Sequence, residues 1–203
     1  MERSYFFENF FRILSILSQI LVVLEHIFYY FIHIMKKTLE VINRLEKEGI
    51  IEGYALGGAT ALLFYTEPAL TFDLDIFIFL PGVSKTMGLV DLSPLYRFFE
   101  SEGYTTDKEH IMIEGIPVQF IPVYNSLVEE AVRNASTHEY EGVPIKVLTV
   151  EYLLAIMIDT NRPKDRERVR KLLDEVSFSK EMLESIVVRY SLQTRWKKYN
   201  NNE

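Results

Sequence analysis

The stretch YALGGATALLFY at residues 54–65, followed by TFDLDIFIFL at residues 71–80, decides the fold. Tyr54-Ala55-Leu56 is a short apolar run that predicts a strand, and Gly57-Gly58 breaks it. Residues 59–65 have helical composition. Residues 72–80 are almost continuously apolar, the pattern of a strand buried on both faces, and Pro81-Gly82 stops them. A buried strand that opens with acids must justify them, because unpaired buried charge is costly. Asp73 and Asp75 are therefore where the chemistry is sought.

Outward from this pair, residues 36–47 have helical spacing at Leu39, Ile42 and Leu45, and Glu48-Gly49 ends them. Downstream, the pattern predicts a helix over 92–101 with Gly103 as its cap. A hairpin of 110–113 and 116–121 follows around Glu114-Gly115, then a helix over 127–134. Residues 137–140 and 145–148 suggest a strand pair, and 149–159, 162–175 and 180–190 suggest helices. Residues 196–203 are polar and are expected to fray. The predicted class is α+β: a mixed α/β sheet with flanking helices and a helical C-terminal part. The expected divisions are 1–34 as an apolar amphipathic helix or mis-annotated leader, 35–148 as the core, 149–193 as C-terminal helices and 194–203 as a polar tail.

A chain of 203 residues suits one ordinary domain. It has no cysteine, which excludes a disulfide framework and a thiolate zinc site and suits the cytoplasm. Its net charge of −7 excludes general, non-specific binding of nucleic acid. Any such contact needs a local basic patch. The most basic run is 162–171, expected as a solvated helix face, and Arg195-Trp196-Lys197-Lys198-Tyr199 is a lesser candidate. His110 and His138 are isolated and carry no expected role.

Residues 13–34 are largely apolar, and a bilayer span needs ~20 such residues. Glu8, Arg12, Ser15, Ser18, Gln19, Glu25, His26 and His33 share an arc of about 140° at 100° per residue. That predicts an amphipathic helix packed on the domain or on a partner. Membrane contact through 1–34 is the lesser expectation, since a mid-span carboxylate costs roughly 2.5–3.5 kcal/mol. The polar face also carries one Arg and no Lys. Met35-Lys36-Lys37 reads as a natural start, and a secretory signal lacks its basic region and cleavage site.

The chemical reading starts from Gly57-Gly58 between a strand and a helix. Glycine permits a sharp turn and close approach of a ligand, and the helix that follows offers free N–H groups to a phosphate. Thr60 can add a hydroxyl donor. At the start of a strand, Asp73 and Asp75 share one face about 6.6 Å apart, a spacing that suits divalent metal. Oxygen-only ligands beside phosphates favour Mg²⁺.

Gly57-Gly58-Ala59-Thr60-Ala61-Leu62 with Asp73-Leu74-Asp75 resembles the nucleotidyltransferase superfamily. The likeness is to its minimal prokaryotic branch, similar to abortive-infection toxin nucleotidyltransferases. It continues through 115–122, 147–153 and Arg162-Pro163-Lys164-Asp165-Arg166, covering about residues 35–173. The resemblance implies Mg²⁺ at Asp73 and Asp75 and an NTP at Gly57, Gly58 and Thr60. It implies transfer of a nucleotidyl group to an RNA, protein or small-molecule acceptor, and in toxin relatives an antitoxin partner. The chain departs from the pattern at Gln119, where a third carboxylate is expected. It departs again at Pro68-Ala69-Leu70-Thr71, which lacks a basic residue, and near Met157, where a lysine is common. Lys164 and Asp165 are the candidates to compensate: Lys164 on a phosphate, and Asp165 holding a metal, ordering Lys164 or capping a helix. The alternative is a catalytically degenerate binding module.

Overall fold

The computed structural model describes residues 2–66, 73–82 and 91–200, with backbone alone for 2–17 and for Asn200. The expected strand start at Phe72 and the uncharged segment 68–71 lie outside the described residues, as do 201–203.

Helix α1 (Glu2–Lys47) runs unbroken through Met35. Its last turns dock on the domain: Leu39, Ile42 and Leu45 are buried, and Thr38 donates a hydrogen bond to the Ile113 carbonyl. Asn43 donates to the Pro144 carbonyl, and Lys146 pairs with Glu46. Gly49, at φ +72°, lets the chain turn away. Between Ser18 and Phe31 the expectation of packing on the domain fails, while Ile34 already packs against the core. From Ile20 to Phe31 the large apolar side chains are between 48% and 73% exposed.

Seven strands form one mixed sheet: β1 (Gly53–Leu56), β2 (Leu74–Phe79), β3 (Thr105–Asp107), β4 (His110–Ile113), β5 (Ile116–Pro122), β6 (Ser136–Tyr140) and β7 (Val143–Val147). Their order is β3-β4-β5-β2-β1-β7-β6. β2 pairs antiparallel with β1 and parallel with β5, at the centre of the sheet. That position explains its apolar sequence. The sheet was anticipated except for β3, whose residues are all exposed and so leave no apolar alternation to read. Glu114 and Gly115, both at positive φ, form the predicted hairpin turn.

Alternation along β2 divides the helices between two faces. Leu74, Ile76 and Ile78 share a face with Val118 and Phe120, covered by α1 and α3 (Ser93–Ser101). Phe77 and Phe79 face the other way, where Arg133 of α4 (Ser126–Arg133) lies over the Phe79 ring. Asn125 caps α4 through the Val128 amide. Helix α2 (Gly58–Leu62) follows β1, and α5 (Val150–Thr160), packed on α4, is buried at eight positions. A helix apolar all round belongs inside, and α6 (Pro163–Glu175), α7 (Lys180–Arg189) and α8 (Gln193–Asn200) pack on it. Helix α8 corrects the expectation of a frayed tail. Trp196 is only 6% exposed and packs into the core, which ties this short polar helix to the domain.

Candidate active site

The acid pair sits where β2 begins. Leu74 points into the core at 1% exposure, so alternation sends Asp73 and Asp75 to the opposite face. The backbone there is tied to the glycine turn. The Gly57 amide donates to the Asp75 carbonyl at 2.8 Å, and the Thr60 hydroxyl donates to the Asp73 carbonyl at 2.7 Å.

The glycines are required by the acids themselves. A Cβ on Gly58 would lie 1.8 Å from Asp75 Oδ2, and its φ of +57° is already left-handed. A Cβ on Gly57 would lie 2.3 Å from the Phe77 ring. Gly57-Gly58 is thus the seat that lets Asp75 and Phe77 pack against the α2 turn. The first-turn amides of α2 remain as donors without intrahelical partners. Thr60 departs from its expected place: it is 3% exposed, its hydroxyl is committed to Asp73, and it does not line the cleft.

Asp73, Asp75, Gly58 and Ala59 border a cleft of about 300 Å³ with Gln119, His110 and Glu109. In the sheet register Gln119 lies beside Asp75, and His110 lies beside Gln119. Paired residues on adjacent strands share a face, so the three form a row. His110 Nε2 is 3.8 Å from Asp73 Oδ2, which corrects the view of this histidine as a bystander. His138 lies away from the cleft, hydrogen-bonded to Ser136.

The opposite wall comes from the α5–α6 junction. Asn161, in the left-handed region at φ +52°, ends α5, and Arg162 and Pro163 open α6. Arg162, Lys164 and Arg168 line the cleft. Lys164 and Arg168 are four apart, hence on one helix face. Part of the basic run is therefore a wall of the site, while Arg166 and Arg170 are exposed outside it.

The two walls act on each other. Burial, and then the Asp73 charge, push the Asp75 carboxyl above its usual range, while Lys164, Arg168 and Arg162 pull it back. Asp165 is different. At 1% exposure it accepts hydrogen bonds from the Thr160 hydroxyl at 2.7 Å, Arg162 Nε at 2.6 Å and the Arg162 amide at 3.3 Å. Burial pushes its pKa up, but these bonds and the Arg162 charge outweigh it and hold the carboxyl below the usual range. Of the three roles open to Asp165, the structure supports the helix cap. Its oxygens are engaged by the protein, although it lines the cleft with Asp73 and Asp75.

Asp73 and Asp75 are the side chains that would hold a divalent cation in this cleft. Burial first and the neighbouring Asp73 charge second raise the pKa of Asp75, and a divalent cation would relieve the repulsion between the two carboxylates. Among the described residues no three ligating side chains stand together.

No family model matches the sequence, and no curated protein does. Among solved structures, the chain is similar to an antigenic nucleotidyltransferase-like protein from Paracoccidioides brasiliensis. The identity is 14%, with 80% of this chain and 93% of that one covered and a TM-score of 0.49. It is also similar to the antibiotic-resistance factor ANT(2'')-Ia. The crystal structure with adenylyl-2''-tobramycin matches at 16% identity, over 81% of this chain and 98% of that one, with a TM-score of 0.47. The solution structure matches at 16%, over 83% and 94%, with a TM-score of 0.46.

Proposed function

We propose that this chain is a Mg²⁺-dependent nucleotidyltransferase that moves a nucleotidyl group from an NTP to an RNA, protein or small-molecule acceptor. The observation that carries this reading is one cleft with two walls. Asp73 and Asp75 stand on the sheet side, and Arg162, Lys164 and Arg168 on the helix side. Acids alone would suit a cation and bases alone an anion; together they suit a metal-bound polyphosphate.

In this reading Asp73 and Asp75 hold the metal and Lys164 and Arg168 neutralise the phosphates. Arg162 both borders the cleft and holds Asp165. Held by Asp73 and Asp75, Mg²⁺ would supply Lewis-acid chemistry toward the phosphoryl group and the attacking hydroxyl. Gly58 and Ala59 bring backbone close to the ligand, while Thr60 fixes Asp73 from behind. Gln119 can orient a neighbour through its amide but cannot take a proton at neutral pH.

That last point favours a second reading, a degenerate module that binds NTP without turnover. Incubation with an α-labelled NTP, Mg²⁺ and candidate acceptors separates the two. Transfer of label, reduced about 10³-fold by Asp73→Asn, is the expected result. Transfer that survives Asp73→Asn rules out the assignment, and NTP binding without transfer establishes the second reading.

A further inference from the structure

The proposed reaction makes no use of the first two-thirds of α1. Ile20 to Leu24 are five consecutive apolar residues, each 48–61% exposed. At about 100° per residue they pass completely round the helix. A partner helix covers a stripe little wider than 100°, and so leaves much of this surface in water. We propose that residues 13–34 cross a lipid bilayer, which surrounds a helix on every side where the domain does not.

Length agrees. Twenty-two residues at 1.5 Å rise extend about 33 Å, against a hydrocarbon thickness of about 30 Å. The helix is long and apolar enough over Ser18–Lys47 to qualify as a span, and it leaves the domain without a break. The flanks agree as well. Tyr29 and Tyr30, 73% and 67% exposed, lie toward the domain end, and Lys36-Lys37 follow. Aromatic residues mark the interface, and basic residues mark the cytoplasmic side, which places the domain in the cytoplasm.

The polar arc is compatible with this. Residues 13–34 contain fourteen Ile, Leu, Val and Phe against one carboxylate, Glu25, and insertion scales favour the apolar set. His26 Nδ1 is 2.7 Å from the Val22 carbonyl, so one ring nitrogen is satisfied within its own helix. A helix lying flat on the lipid surface fits less well, because the polar face has one Arg and no Lys.

The test compares the full chain with Val23→Lys/Ile27→Lys, which charges the apolar flank far from the cleft. The full chain is expected to stay in the membrane pellet after alkaline carbonate washing and to float with phosphatidylcholine vesicles. The double variant, with unchanged far-ultraviolet dichroism, is expected to float at least ten-fold less. Release by carbonate overturns the span in favour of surface attachment. A full chain that is a soluble monomer, or a defined oligomer without detergent, overturns the bilayer as its occupant.

Discussion

The start of β2 and the start of α6 each place an aspartate at the same cleft, and the two aspartates have opposite fates. Asp165 is almost fully buried and is answered on every side by its own helix, by Thr160 and by Arg162. Asp75 is half-buried beside a second acid, and its compensating charges stand across the cleft rather than in contact. One carboxyl is held below the usual range and the other above it. An acid whose hydrogen bonds are complete supports the fold. An acid kept under electrostatic tension is available for chemistry.

The strongest way to break this contrast is to move Asp75 while leaving it present. Gly58→Ala places a methyl group where Asp75 Oδ2 now lies. A displacement of about 1 Å can cost roughly 100-fold in rate, and a loss of that order in NTP transfer is expected while the protein stays folded. Undiminished transfer by the folded variant would show that the seat of Asp75 does not matter.

Asp165→Ala attacks the other side. It strips Arg162 and Thr160 of their shared acceptor, and a loss of about 2–4 kcal/mol is expected in denaturant unfolding. Transfer per folded molecule should fall far less than for Gly58→Ala. A variant of normal stability but without activity would return Asp165 to the chemical side.

The smallest effect sharpens the comparison by its sign. A carboxyl whose folded pKa lies above its unfolded value of about 3.9 binds protons preferentially in the folded state. Stability from that group falls as pH rises through the window between the two values. Asp75→Asn should therefore raise Tm by a few degrees at pH 7 without Mg²⁺ or NTP, and the gain should fade toward pH 4. Asp165 has the opposite slope: its stabilisation is complete above about pH 3.9 and is lost as pH falls through its lower folded value. Thermal melts across pH 4–8 check both slopes, and a gain from Asp75→Asn that grows on acidification would contradict them.

The acids and the glycines were legible because their pattern is local. Asp-x-Asp at the start of an apolar strand fixes a shared face before any tertiary contact is known. The central strands were legible for the same reason. Arg168 and His110 were not, because each reaches the cleft only through long-range packing, α6 across the sheet and β4 beside β5. The four-residue spacing of Lys164 and Arg168 was the available signal. Thr60 was misread because a hydroxyl near a turn has two directions open to it, and sequence does not say that Asp73 lies on the inner one. The continuity of α1 was hidden by the change in composition at Met35, which alters what surrounds the helix without interrupting it.

The interlock of Gly58 with Asp75 also shapes how this sequence can drift. While the acid is present, a side chain at 58 collides with it, so the two codons behave as one inherited character. If a descendant lost the acid, the collision would go and only the left-handed backbone would still favour glycine, a much weaker restraint. A lineage that abandons this chemistry should therefore lose Gly58 later and more slowly than Asp75, and the surviving glycine would be the trace of the reaction.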